Sequence, residues 1–291
     1  MQVLVSLACA VAIVLVTAQG VSAEPILKIA VSIPPQKYMV ERIGGSLVEV
    51  VSLVPPGMDP HTYEPKPSDL SRIGSSSLFF AIGLLEFEKI WLPRISRMFP
   101  QLPIINLADD VGLMGIRQKD GSDPHLWLDP LIMLQMSRTV YRELRSSILS
   151  RTDETLSNPV DVLDEQYRRW VTEVIFLDGK ISAILAPFRG KAFVVYHPAW
   201  GYFARAYGIR QIAVEQEGKG PGPSTLKEVA EAVKANNLKV IFVFGSPPPA
   251  EAERLSRLWN MRIEVLNPLA YNWCENLRRA AQLIARSLGG G

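Results

Sequence analysis

The sequence predicts an α/β protein with two lobes, each a mostly parallel sheet with flanking helices, joined by one long rigid helix. Beyond residue 24, short apolar runs alternate with longer stretches of helical periodicity, which is the pattern of strand–helix units around parallel sheets. The second half of the chain repeats this rhythm. Between the two halves lies one amphipathic segment that is longer than most helices within a single lobe.

The first 23 residues have the features of a secretory signal peptide. They contain no charged side chain, the stretch from Val3 to Val16 is apolar apart from Ser6, and the small residues Val21-Ser22-Ala23 resemble a cleavage site. The apolar run is shorter than the roughly 20 residues that a membrane-spanning helix needs. We therefore predict cleavage before Glu24 and export to the periplasm. The lack of Lys and Arg before the apolar run leaves an uncleaved anchor as the alternative.

Cleavage would also remove one of the two cysteines. Cys9 lies in the predicted signal peptide, so Cys274 would be the only cysteine of the mature chain, and no disulfide could form within it. A chain of this size buries enough surface to fold without disulfides, so its stability must come from core packing.

The residues after the signal peptide predict a first sheet and its helices. Each predicted strand is a short apolar run, and the stretches between them have helical periodicity. The predicted strands lie near Leu27–Ile33, Val48–Val54, Leu78–Ile82 and Ile104–Leu107. The predicted helices include Lys37–Ile43, Pro67–Gly74 and Glu88–Met98.

A single amphipathic helix is predicted from Val160 to Phe188, where apolar residues recur at alternating spacings of three and four. Asn158 is the predicted N-cap, and Pro159 lies in the first turn. At about 1.5 Å per residue the segment forms a rod of roughly 40 Å, which is the length of a strut between lobes. Gly179 disfavours a helix by about 1 kcal/mol relative to Ala, which leaves a kink as an alternative.

The second half predicts another α/β lobe. Its predicted strands lie near Ala192–Tyr196, Arg210–Val214, Val240–Phe244 and Arg262–Val265. Its predicted helices include one that Ser224 or Thr225 caps and a last one at Glu275–Leu288. The predicted boundaries are 1–23 for the signal peptide, 24–157 for the N-terminal lobe, 158–188 for the linking helix and 189–291 for the C-terminal lobe.

The composition excludes several classes of protein. The chain has 291 residues, of which 48% are hydrophobic and 21% are charged, as expected for a globular protein of one or two domains. Its formal net charge of +2 is too small to indicate an extended surface for nucleic acid. The chain has no G-x-S-x-G, G-x-G-x-x-G, Walker A or H-E-x-x-H motif, which disfavours nucleophilic hydrolysis, nucleotide chemistry and that class of metalloprotease.

The chain contains three histidines, and each lies beside a proline. His61 and His125 both end an Asp-Pro-His tripeptide, and His197 precedes Pro198. All three fall in predicted loops at or near the carboxyl ends of strands, where open α/β sheets bind ligands. Three neutral imidazoles and one further ligand complete a tetrahedral Zn²⁺ site. The pattern therefore predicts a mononuclear metal site, and the alternative is that one or two of these histidines only stabilise their turns.

The motifs around these histidines resemble those of the metal-specific solute-binding proteins of bacterial ABC importers, of the zinc and manganese type. The resemblance covers essentially the whole mature chain, and the two motifs centred on Asp-Pro-His are its most specific parts. The matching stretches are Ile33-Pro34-Pro35-Gln36, the run from Pro56 to Pro65, the run from Asp123 to Pro130, and the run from His197 to Phe203.

The resemblance implies that the metal lies in a cleft between two lobes. It assigns His61 and His125 as ligands from the first lobe and His197 as the first ligand from the second lobe. Zinc carriers of this family tend to have His at the third position and manganese carriers tend to have Glu, so His197 indicates zinc. A set of imidazoles also suits Zn²⁺ better than the oxygen-preferring Mn²⁺.

The fourth ligand departs from the family pattern. The family usually has an Asp in a D-P-L motif, and this chain has Asn267-Pro268-Leu269. Asn267 is the predicted fourth ligand, although a water molecule, Glu215 or Glu217 could take its place. Without a carboxylate the metal keeps its full charge, which should weaken capture and ease release. The candidates for carboxylates that orient the imidazoles are Asp59, Glu64, Asp123 and Asp129, of which Asp59 and Asp123 could instead only start their turns.

These observations predict a periplasmic carrier and not an enzyme. It would capture Zn²⁺ between its lobes through His61, His125, His197 and Asn267 and deliver the ion to the membrane permease of an ABC transporter. The same role for Mn²⁺ or Fe²⁺ is the first alternative, and a secreted mononuclear zinc hydrolase is the second. We expect a monomer without a nucleic-acid partner. Because imidazole must be deprotonated to bind metal, affinity should fall below about pH 6.5.

Overall fold

The structure is a computed structural model that describes most of the chain after residue 24. The described residues are 25–58, 60, 63–112, 117–118, 121–151, 159–215, 220–245 and 247–289. Several predictions fall outside these residues. They are the signal peptide 1–23, the N-cap Asn158, and the side chains of Asp59, His61 and Glu217.

The first sheet is a parallel sheet of four short, mostly buried strands in the order β2-β1-β3-β4. Ile29 and Phe80, from its two central strands, are fully buried, as expected for a sheet that is covered on both faces. The strands are β1 (Leu27–Val31), β2 (Val48–Ser52), β3 (Leu78–Ala81) and β4 (Ile104–Asn106). A short antiparallel pair follows, β5 (Arg117–Gln118) and β6 (Gly121–Ser122).

The second sheet repeats the plan of the first. Its four parallel strands lie in the order β10-β9-β7-β8, so in each sheet the first strand in sequence lies between the second and the third. The strands are β7 (Ala192–Val195), β8 (Arg210–Ala213), β9 (Val240–Val243) and β10 (Arg262–Val265). In open α/β sheets of this kind, ligands bind at the carboxyl ends of the strands, where the order reverses. The two-lobed α/β fold predicted from the sequence is therefore confirmed.

Helices flank both sheets. Those of the first half are α1 (Pro34–Gly44), α2 (Pro67–Gly74), α3 (Glu86–Met98) and α4 (Pro130–Leu149), and the long helix is α5 (Pro159–Leu185). Those of the second half are α6 (Gly201–Ala206), α7 (Pro223–Ala235), α8 (Ala250–Leu258) and α9 (Trp273–Leu288). The predicted capping of α7 is wrong, because the helix begins at Pro223 with Gly222 as its N-cap. Within the described part of the chain, no helix combines the length and the apolar character needed to cross a membrane.

The long helix α5 forms a frame against which both halves pack. It is continuous through Gly179 and is followed by a 3₁₀ turn at Ala186–Phe188. Its apolar stripe, which includes the fully buried Trp170 and Ile181, packs against α1, α4 and α9. The predicted strut is therefore confirmed as one helix that contacts elements from both halves of the chain.

Candidate metal site

His125 is held by the aspartate that starts its own turn. Oδ1 of Asp123 accepts the backbone N–H of His125 at 2.9 Å and lies 2.7 Å from its Nδ1. Both residues are buried, with Asp123 only 1% exposed, and His125 is the N-cap of a 3₁₀ turn at Leu126–Leu128. Since a carboxylate can only accept at this point, Nδ1 carries the proton and Nε2 presents its lone pair. Asp123 therefore both starts the turn and orients the imidazole.

His197 has a carboxylate behind it in the same way. It follows β7, and its Nδ1 lies 3.1 Å from Oε1 of Glu215, which follows the neighbouring strand β8. The backbone N–H of Glu215 donates to the carbonyl of Tyr196 at 2.9 Å, which fixes the position of the glutamate. Its side chain is only 13% exposed, so this carboxylate is largely shielded from solvent. It orients His197.

The two oriented imidazoles meet between the two sheets. Nε2 of His125 lies 3.4 Å from Nε2 of His197, and the ring planes are inclined at 75°. Two nitrogens bound to one Zn²⁺ at roughly 2.0–2.1 Å with a tetrahedral angle are about 3.3 Å apart. The two nitrogens are therefore separated by the distance that a shared metal ion requires, although 72 residues separate them in the sequence.

Asn267 lies in the loop after β10, at the same edge of the second sheet as His197. Its neighbours Leu266 and Pro268 line a small cavity together with His197. The side-chain oxygen of Asn267 accepts the backbone N–H of Leu269 at 2.8 Å, which makes a local turn and leaves that oxygen with one further lone pair. This hydrogen bond fixes the orientation of the Asn267 amide within its loop.

Of the other carboxylates that could orient an imidazole, the structure describes Asp129 and Glu64. The side chain of Asp129 caps α4 by accepting the backbone N–H groups of Leu131 and Ile132, so the prediction that it orients an imidazole is wrong. Burial raises the pKa of Asp129. Glu64 is exposed, and His61 with its neighbour Asp59 lies outside the described residues. Among the described residues, no group of three His, Cys, Asp or Glu side chains is arranged to hold a metal ion.

Sequence reasoning missed the aromatic residues beside the site. The ring of Trp127 lies 5.2 Å from that of His125, and its indole N–H donates to the carbonyl of Pro268 at 2.6 Å. Trp127 stands within the Asp123–Pro130 motif, so its proximity to His125 was visible in the sequence. Its partner, 141 residues away, was not.

A family model described as "zinc-uptake complex component A periplasmic" matches residues 29–287. The chain belongs to this family. Its members are solute-binding proteins of ABC importers, and so the chain is a metal-binding transport protein and not an enzyme. The family resemblance inferred from the histidine motifs is confirmed, and the hydrolase alternative is wrong.

Different relatives of this chain bind different metals. Two crystal structures of ZnuA, one of a deletion mutant with zinc bound, share 34% sequence identity with this chain, cover 90% of it and superpose with a TM-score of 0.81. The matched region spans 99% and 97% of the two ZnuA chains. The manganese-binding lipoprotein MntA of Halalkalibacterium halodurans is 25% identical over 75% of this chain and 70% of its own length. The family therefore includes both zinc-binding and manganese-binding relatives.

Proposed function

We propose that this protein captures Zn²⁺ in the periplasm and delivers it to the membrane permease of an ABC importer. The proposal is supported above all by the 3.4 Å separation of the two Nε2 atoms from His125 and His197. His61 and Asn267 complete the proposed ligand set. The mature protein acts as a monomer after removal of residues 1–23.

The chemistry of the described ligands favours zinc over manganese. Both imidazoles present nitrogen, and both carboxylates beside them are engaged at Nδ1 rather than turned toward the metal. Nitrogen ligands suit Zn²⁺, whereas Mn²⁺ prefers carboxylate, carbonyl and water oxygens. Mn²⁺ or Fe²⁺ is the alternative cargo. The manganese-binding relative MntA is the observation that favours testing Mn²⁺.

The fourth position is better filled by Asn267 or water than by Glu215. Oε1 of Glu215 faces Nδ1 of His197, so turning this carboxylate to the metal would remove the group that orients the imidazole. Asn267 can bind through its second lone pair while Leu269 keeps its hydrogen bond. An uncharged fourth ligand leaves two positive charges in the cleft, and this favours release to the permease.

Metal analysis of the mature protein, purified without added metal, tests the cargo. Zinc titration of wild type, His125→Ala and His197→Ala then tests the ligands. Each alanine substitution removes a proposed ligand itself. Zinc affinity should therefore fall by more than the roughly 100-fold that is lost when only the partner orienting a ligand is removed. Glu231→Gln, a change at an exposed carboxylate on α7 that has no proposed role in the site, is the control and should bind as wild type does.

Two further measurements separate the alternatives. Affinity should fall between pH 7.5 and pH 5.5, because imidazoles must lose their protons to bind. The Asn267→Asp variant should bind zinc at least tenfold more tightly if this residue is the fourth ligand, since a carboxylate adds charge and keeps the hydrogen bond from Leu269. Manganese as the main metal in the purified protein, or equal affinity at both pH values, would contradict the proposal.

A further inference from the structure

Two tryptophan side chains join the loop that carries His125 to the loop that carries Asn267. The indole N–H of Trp127 donates to the carbonyl of Pro268 at 2.6 Å, and the indole N–H of Trp273 donates to the carbonyl of Trp127 at 2.6 Å. These two hydrogen bonds connect the segment after the first sheet to the segment after the second sheet. We call this pair of bonds the tryptophan latch.

The latch is shielded from water. Trp127 is 1% exposed and Trp273 is fully buried. When a hydrogen bond at such a place breaks, water cannot reach the released groups, and a buried carbonyl is left without a partner. The two loops are therefore held together much more firmly than they would be by the same contacts on the surface.

The latch is anchored on the frame of the molecule. Trp273 is the first residue of α9, and α9 packs against α5. The side-chain amide of Asn276, also on α9, donates to the backbone carbonyl of Asn267 at 2.7 Å. Through Trp127 the position of the His125 loop is thus fixed relative to α5 and α9, two helices that carry none of the proposed ligands.

We propose that Trp127 and Trp273 are positioning residues for metal capture. The latch holds the His125 loop against the second lobe, so that the Nε2 atoms of His125 and His197 stay together before an ion arrives. This inference rests on the proposed metal site. Without the latch the loops separate for part of the time, and the apparent affinity falls in proportion to the fraction of molecules that remain closed.

The test compares Trp127→Phe with Trp170→Phe. The first substitution removes the donor to Pro268. The second is made at the fully buried Trp170, whose Nε1 has no hydrogen-bond partner among the described residues. Phenylalanine keeps an aromatic ring beside Trp273 at this position, so the substitution removes no hydrogen bond of the latch. Zinc affinity is measured by competition with a chelator, and stability by thermal unfolding. Both variants should lose stability, but only Trp127→Phe should lose affinity, by roughly tenfold.

A second measurement does not depend on metal. Amide hydrogen exchange of the metal-free protein follows segments 126–128 and 266–269, and Trp127→Phe should accelerate exchange in both segments together. Trp273→Phe removes the other bond and should act in the same way, while Trp170→Phe should leave both segments protected.

The outcomes separate the latch from the proposed cargo. Equal zinc affinity in Trp127→Phe and Trp170→Phe, or unchanged exchange in both segments after loss of the latch, overturns the inference. If wild type binds no zinc but Trp127→Phe still accelerates exchange in both segments, the proposed function fails and the latch is supported.

Discussion

The substitution Asp123→Asn tests how the site controls the direction of its imidazoles. Asp123 is buried behind His125, and its Oδ1 serves both the backbone N–H and the Nδ1 of that residue. Asparagine has nearly the same shape and can still accept through its oxygen, so the turn should form. What changes is the charge behind the imidazole. A neutral acceptor makes Nε2 a weaker base and a weaker metal ligand.

The expected loss of zinc affinity lies between 10-fold and 100-fold, the range for partners of metal-bound histidines. This range corresponds to about 1.4–2.8 kcal/mol of binding free energy. Two features lead us to expect a loss of zinc affinity in the upper half of this range for Asp123→Asn. Its contact with Nδ1 is short, at 2.7 Å, and its side chain is only 1% exposed, so solvent screens its charge weakly.

The assay is zinc competition against a chelator of known affinity at pH 7.5, with thermal unfolding as a check on folding. Asp129→Asn is the matched control, because Asp129 is also a buried aspartate in this motif but caps α4 instead of touching an imidazole. The control should bind within twofold of wild type. An Asp123→Asn protein with wild-type affinity, or an equal loss in both variants, would refute the reasoning.

Three further predictions concern other parts of the molecule. Glu215→Gln should weaken zinc binding by about tenfold, less than Asp123→Asn, because its contact with His197 is 3.1 Å long and more exposed; the same competition assay measures this. Gly179→Ala should raise the free energy of unfolding by about 1 kcal/mol and the melting temperature by about 2–4 °C, because an added Cβ meets no described atom within 4 Å; calorimetry that shows no increase would contradict this. Burial raises the pKa of the Cys274 thiol to about 12, so iodoacetamide at pH 8 should label Cys274 only after unfolding, and rapid labelling of Cys274 in the folded protein would contradict the burial.

The positions of the strands could be predicted from the sequence because each is a short apolar run that the fold buries. The predicted ends were too long by one or two residues in most strands, and the structure shows why. Ile33, Val54 and Ile82 are fully buried although the strands have already ended, so hydrophobicity continues into the core beyond the paired region. An apolar pattern reports burial, and burial extends further than strand pairing.

The helix α4 was missed although its signal is present. Its buried residues include Met133, Met136, Val140 and Leu144, which recur at spacings of three and four. The capping of α7 failed for a different reason. Pro223 has a fixed φ suited to the first turn of a helix, and it therefore starts α7 before the serine and threonine that favour the N-cap.

The candidate site divides into parts that are local in sequence and parts that are not. Asp123 and His125 lie two residues apart, so their pairing follows from a short turn. Glu215 lies 18 residues from His197 and reaches it only because β7 and β8 pair side by side. No pattern in the sequence indicates such a partner until the order of the strands is known.

The short distance between the imidazoles has a consequence for the rate of uptake. The side chains of His125 and His197 lose most of their conformational entropy when the chain folds. Little further entropy is lost when these two residues bind an ion. An arriving ion then has to exchange its bound water for imidazole nitrogen, but binding does not require the two histidine loops to come together first. We expect the association rate to depend on how fast the hydrated ion sheds water and to be insensitive to solvent viscosity in stopped-flow measurements.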